Sequence, residues 1–262
     1  MVRLRHPSRY AHCMLRRTLP LILVPIIAAP SLGFVPPAKP SVPSAPVARD
    51  NDNAGDKEAG FVPLFNGKDL AGWRDAGSSA TASDGSIAGY AVEDGAIVCQ
   101  PNGTNLFTKD EFGDFTFRFE FKLTPGANNG IGIRTPCEGD PAYAGLEIQI
   151  LDDSAAKYAS LKPYQYHGSV YGIAASTRGH QKPAGEWNSQ EIKITGSKIT
   201  VTLNGTVIVD ADLAGSQTNG ALDGQPHPGL QRTRGHIALC GHGDRVEFRN
   251  LRVRSLDVSS TK

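Results

Sequence analysis

Several polar side chains in this 262-residue chain stand where strand alternation would set them side by side. In AGLEIQILDD, Glu147 and Gln149 share a face with Gly145, while Leu146, Ile148 and Ile150 take the other. In NNGIGIRT, Gly130, Gly132 and Arg134 oppose Ile131 and Ile133. In GHIALCGH, His236, Ala238, Cys240 and His242 alternate with Ile237 and Leu239. Successive strand side chains point to opposite faces, so each segment has an apolar core face and a second, polar one. An ordinary wet face looks like that of FTFRFEFKL, where Thr116, Arg118, Glu120 and Lys122 alternate with phenylalanines. The other three faces instead set small residues beside isolated Glu, Gln, Arg and His. Glycine inside a strand marks a place where something approaches closely, so these faces read as the floor of a site.

Each residue carries two readings. Glu147 is a surface carboxylate paired with an arginine, or a general base or acid. Arg134 is its structural partner, or a guanidinium for a sugar hydroxyl, a carboxylate or a developing enolate. His242, between glycines in CGHGDRVEF, is a structural donor or a proton shuttle near neutral pH. His167 lies in YQYHGSVYG, where Tyr166 and Tyr171 stack on a sugar ring or pack in the core. Trp187, which opens a strand in GEWNSQEIKI, is expected in the core. No G-x-S-x-G elbow and no phosphate-binding glycine loop occurs. Glu147, Asp152, Asp153 and the histidines match no metal signature, so no metal ligand is assigned and a divalent ion stays an open alternative.

The elements that must hold these residues are strands. Short β patterns with turn punctuation run through YAVEDGAIVCQ, FTFRFEFKL, NGIGIRT, GLEIQIL, NSQEIKITG, KITVTLNGTVIVDAD, GHIALCGH and DRVEFRNLRVRSL. EDG and LNGT are hairpin turns. KDEFGDF and DDSAAKYASLKPYQ are each expected to hold a single helical turn, and residues 212–234 a long polar loop. No βαβ alternation and no solenoid period appears. One all-β domain over 60–257, with two packed antiparallel sheets, is expected.

Lys plus Arg is 27 against 26 for Asp plus Glu, which gives no electrostatic footprint for nucleic acid. Arg3, Arg5, Arg9, Arg16 and Arg17 precede the apolar run LPLILVPIIAAP, followed by the small residues of SLG. That pattern is a secretory signal over 1–33, cut after Gly33, and it predicts a periplasmic or secreted protein. The run is too short for an ordinary membrane span. Residues 34–59, rich in Pro, Ala, Ser and charge, form a disordered linker, and 258–262 a tail. Past the signal, Cys99, Cys137 and Cys240 fit no zinc spacing and read as buried small hydrophobes. The sequence assigns no oligomeric state.

The segments FVPLFNGKDLAGW, NNGIGIRTP, AGLEIQILDD, YHGSVYGIAA, KPAGEWNSQEIKITGSKITVTLNGTVIVDADL, HPGL and GHIALCGHGDRVEFRNLRV run in order over about 60–256. Together they closely resemble the 3-keto-disaccharide hydrolase domain family. The resemblance implies a concanavalin-like jelly-roll β-sandwich with a sugar-facing sheet. It also implies cleavage of the glycosidic bond of 3-keto-glycosides or 3-keto-disaccharides. A C3 ketone acidifies the C2 proton, a base removes it, and the C1 oxygen leaves; water adds afterwards. On this reading Glu147 is the base and His242 the acid. Arg134, Gln149, His167 and Tyr171 hold the sugar, and no cofactor is assigned, with a divalent metal left open. Two other classes fit the same fold: a non-catalytic, lectin-like carbohydrate-binding module, and a conventional two-carboxylate glycosidase.

Overall fold

The computed structural model describes residues 60–76 and 87–257; the expected signal, linker and tail lie outside the described residues. Thirteen strands are seen: β1 (Val62–Pro63), β2 (Trp73–Asp75), β3 (Tyr90–Glu93), β4 (Ala96–Cys99), β5 (Asn105–Phe112), β6 (Phe115–Leu123), β7 (Asn128–Thr135), β8 (Leu146–Leu151), β9 (Trp187–Thr195), β10 (Lys198–Leu203), β11 (Thr206–Asp212), β12 (Gly235–Gly241) and β13 (Val246–Ser255). They form two antiparallel sheets. One runs β11-β10-β9-β6-β13-β4-β3, with β1 added to β13; the other runs β2-β5-β12-β7-β8. The fold is a concanavalin-like jelly-roll sandwich.

Strict period-two alternation builds the core. Phe115, Phe117, Phe119 and Phe121 on β6 are fully buried, and the rings of Phe117 and Phe119 stack at 4.9 Å. Ile131 and Ile133 of β7, Leu146, Ile148 and Ile150 of β8, and Ile237 and Leu239 of β12 face them from the five-stranded sheet. The register sets Ile131 opposite Ile148 and Leu239, which leaves Gly130 and Gly132 on the outward face with Gln149 and Glu147. The β3–β4 and β10–β11 turns place Asp94-Gly95 and Asn204-Gly205 at positive φ, as tight hairpins require.

Three expectations are corrected. KDEFGDF is not a helical turn: Lys109–Phe112 extend β5, which pairs with both β2 and β12. The polar loop after β11 carries a short helix, α2 (Ala214–Asn219), and a 3-10 turn, Pro228–Gln231. Trp187 lies outside the core, on the outward face of the eight-stranded sheet, with Lys122 and Arg249 4.9 and 4.0 Å from its ring centre. The DDSAAKYASLKPYQ loop holds two 3-10 turns, Ala156–Tyr158 and Pro163–Gln165. Among the described residues Cys99, Cys137 and Cys240 are free thiols, with Cys99 and Cys240 buried and Cys137 half-buried. No helix of the described residues is long and apolar enough to cross a membrane.

Candidate active site

Glu147 sits in the middle of β8 on the outward face, yet is only 4% exposed. Its carboxylate lies across the neighbouring strand. A Cβ on Gly130 would collide with Glu147 Oε1, so the missing side chain is the channel the carboxylate uses. On the far side it meets His242, which follows β12, at 3.1 Å between Nε2 and Oε1. The imidazole is 40% exposed, so the pair has a buried end and an open end. The hydrogen bond to Glu147 holds the His242 pKa above its ordinary 6.5, against the opposing pull of burial.

Small residues make the bed. Ala238 and Cys240 of β12 lie opposite Gly132 and Gly130, and with Phe107 they form an apolar patch of their own on this face. Burial pushes the Cys240 thiol well above the ordinary range, and the nearby Glu147 charge adds to it, so this thiol stays neutral. A four-residue helix, α1 (Pro141–Ala144), capped by Asp140, packs on the second glycine: a Cβ at Gly132 would lie 3.2 Å from Pro141 Cβ. This brings Tyr143 to the rim. Gln149 is the next outward residue on β8 and donates to Asn128 Oδ1 at 2.6 Å. Tyr171 joins the edge of the same strand, its backbone N–H donating to the Glu147 carbonyl at 2.8 Å. The Tyr171 hydroxyl accepts from Gln165 at 3.0 Å.

Two expected site residues are placed elsewhere. Arg134 has φ +48°, where β7 bulges against β12, and its side chain leaves the strand's alternation. Its guanidinium donates to the Gly113 carbonyl (3.0 Å), the Gly196 carbonyl (2.8 Å) and Asp114 (2.6 Å), joining the β5–β6 and β9–β10 turns. It is a structural tie. His167 is buried between the sheets. The Leu151 N–H donates to its Nδ1 at 3.2 Å, so Nε2 carries the proton and donates to Gln190 Oε1 at 3.0 Å. Burial lowers its pKa to about 4. It fastens the 166–172 loop to the core and is shut off from solvent.

Asp152 and Asp153 do not join Glu147 either. Asp152 accepts from the Gly126 N–H and from Ser154, and Asp153 accepts from the His167 N–H beside Arg178. Among the described residues no group of three or more His, Cys, Asp or Glu is arranged to hold a metal ion. The sequence reading missed Tyr143. A four-residue helix leaves no periodic signal, and only the Asp-Pro pair at 140–141, a cap followed by proline at the first helical position, marks it.

The sandwich fold recurs in known proteins. Two solved structures of candidate glycosyl hydrolases from Parabacteroides distasonis superpose with TM-scores of 0.65 and 0.63, at 26% and 30% identity. They cover 77% and 75% of this chain, and 96% and 99% of their own. A 3-keto-disaccharide hydrolase of Bacteroides thetaiotaomicron is 27% identical over 76% of this chain and 79% of its own length. Residues 60–254 match the 3-keto-alpha-glucoside-1,2-lyase-like domain. The chain belongs to that family, and it is an enzyme acting on sugars.

Proposed function

We propose that the protein cleaves 3-keto-glycosides or 3-keto-disaccharides by proton abstraction at C2 followed by elimination. The supporting observation is the Glu147–His242 contact, a proton-transfer pair on a face otherwise lined by glycine, alanine and cysteine. Burial supports a division of roles opposite to that read from the sequence. With Nε2 turned to Glu147, Nδ1 of the neutral ring holds the lone pair and lies at the open end. His242 therefore removes the C2 proton, while buried Glu147 orients the ring and stabilises the imidazolium.

The C2–H electrons form an enolate with the C3 ketone. They then collapse to a C1–C2 double bond as the C1–oxygen bond breaks. The imidazolium returns its proton to the departing oxygen. Water adds across the double bond, with OH to C1 and H to C2, so the net change is hydrolysis and the base is regenerated. A single carboxylate suits this route; common glycosidases need a second one on the opposite side of the sugar.

The test is a product assay on a 3-keto disaccharide and its unoxidised parent. Turnover of the first alone is expected, with exchange of the C2 hydrogen for deuterium from solvent. Turnover of the parent overturns the reading in favour of a conventional glycosidase, and binding of either without turnover overturns it in favour of a binding module. Export belongs to the same proposal, supported by the arginine-rich start, short apolar run and small residues ending at Gly33. The mature protein is expected to begin at Phe34, and N-terminal sequencing of periplasmic or secreted material checks it.

A further inference from the structure

A second acid–imidazole pair, this one buried, packs against α1. Asp223 and His227 belong to the segment between α2 and the 3-10 turn Pro228–Gln231, and the His227 side chain is fully buried. Its Nε2 lies 3.1 and 3.2 Å from the two Asp223 oxygens, and its Nδ1 lies 3.1 Å from the Ala142 carbonyl of α1. Its ring packs 4.8 Å from the ring of Tyr143. Both nitrogens therefore face acceptors.

The pair is wedged between the segments that carry the rim of the Glu147 site. Gly172, at φ +73°, follows Tyr171; a Cβ there would lie 2.8 Å from His227 Nε2 and collide with the Asp223 carboxylate. The Asp223 N–H donates to the Gly172 carbonyl at 3.1 Å. A Cβ on Gly229, two residues past His227, would collide with the Gly145 carbonyl at the head of β8. Glycine at 172 thus lets its segment close on the imidazole, glycine at 229 lets the 3-10 turn close on Gly145, and the imidazole grips α1 by a carbonyl and by the Tyr143 ring. Tyr143 itself is half-buried, and among the described residues its hydroxyl has no hydrogen-bond partner. Burial raises its pKa, and the surrounding Tyr171, Asp223, Asp140 and Glu147 raise it further, so the phenol keeps its proton and can donate.

We infer that Tyr143 is a further substrate-facing residue of the Glu147 site, donating a hydrogen bond to the sugar oxygen that gains charge, and that the buried His227–Asp223 pair positions it. This rests on the eliminative reading of the site. Nothing in the pair reaches the Glu147–His242 contact itself, so its effect on the reaction passes through the Tyr143 ring.

The experiment is a double-mutant cycle with Tyr143→Phe and Asp223→Asn, assayed for kcat and KM on a 3-keto glucoside. Tyr143→Phe keeps the ring stack and is expected to lower kcat by about tenfold to a hundredfold, the scale of losing one donor at a charge-gaining oxygen. Asp223→Asn keeps an oxygen at the same place and is expected to lower kcat by about threefold to tenfold with little change in KM. In the Tyr143→Phe background it is expected to cost less than twofold, because the group it positions is gone. Wild-type kcat in Tyr143→Phe overturns the substrate role. An undiminished Asp223→Asn effect in both backgrounds overturns the positioning role and marks the pair as general scaffold. If Asp223→Asn does not fold, His227→Gln takes its place in the same cycle. Failure of the wild type to turn over any 3-keto glycoside overturns the eliminative reading, and the inference with it.

Discussion

The outward faces of the two sheets both carry glutamates and put them to opposite use. On the eight-stranded sheet Glu93, Glu120, Glu191 and Glu247 are each matched to a cation. Arg118 meets Glu191 at 2.5 Å, Arg249 meets Glu120 at 2.7 Å, Lys122 meets Glu247 at 2.7 Å, and Arg245 meets Glu93 at 2.8 Å. These side chains stand upright over long neighbours, with about a fifth to a half of their surface in water. On the five-stranded sheet Glu147 has no Lys or Arg partner; it lies flat across a glycine and pairs with an imidazole that can exchange a proton at working pH. Charge density does not distinguish an active face from an inert one here. What does is the removal of neighbouring side chains, which lets one carboxylate sink into the sheet and tune one histidine.

That comparison can be broken or sharpened by experiment. The largest expected effect is on activity. Glu147→Gln should lower kcat/KM by more than about a hundredfold, within the range of positioned acid–base groups, whereas Glu120→Gln should change it less than twofold. Equal losses in steady-state assays of the two variants would erase the distinction between the faces. Gly130→Ala comes next. Its backbone is not in the left-handed region, so the strand tolerates alanine, but the Cβ claims the space of the Glu147 carboxylate. A loss of about tenfold to a hundredfold is expected with the fold intact by circular dichroism, and an active Gly130→Ala would show that the carboxylate need not cross β7.

The pH profile sharpens the tuning. Neutral His242 is the working form, and its contact with Glu147 raises its pKa. Activity should therefore fall on the acid side with a midpoint above 6.5, and in Glu147→Gln the midpoint of the residual rate should drop toward 6.5. An unmoved midpoint would dissociate the two residues.

His167 gives a stability effect of the opposite sign. Its folded pKa is lowered to about 4, so its contribution is complete above 6.5 and is lost as pH falls from there toward 4. About 3 kcal/mol of stability should disappear across that window in urea titrations, and much less in His167→Gln. The smallest effect belongs to the paired face. Removing one partner, as in Glu120→Gln, should cost under about 1 kcal/mol and less still in high salt, measured by thermal unfolding.

Much of this was legible in the sequence where side chains obey period two. Phe115–Leu123 and Leu146–Ile150 alternate without exception, so their faces, the sandwich and the outward placement of Glu147 and Gln149 followed directly. The pattern failed where the backbone leaves that period. Arg134 looks like the next outward residue after Gly132, but its positive φ at the bulge turns the guanidinium toward Asp114. In β5, Leu106, Phe107 and Thr108 are buried in succession between two strands, and then Lys109, Asp110 and Glu111 are exposed, so no alternation shows. His167 and Tyr143 lie in a loop and a single helical turn, where only tertiary packing decides which way a side chain points.

The double life of β8 has an engineering corollary. Leu146, Ile148 and Ile150 are clamped in the core, so Glu147 rides on a rail that loop changes cannot bend. Residues 168–171 pair with its edge and Asp223–His227 hold α1, so both belong to the rail; the turns at 154–162 and 214–220 close on their own residues. Remodelling these turns should change which leaving groups enter while sparing the bond-breaking step, so one scaffold could be diversified toward new glycosides by swapping the turns alone.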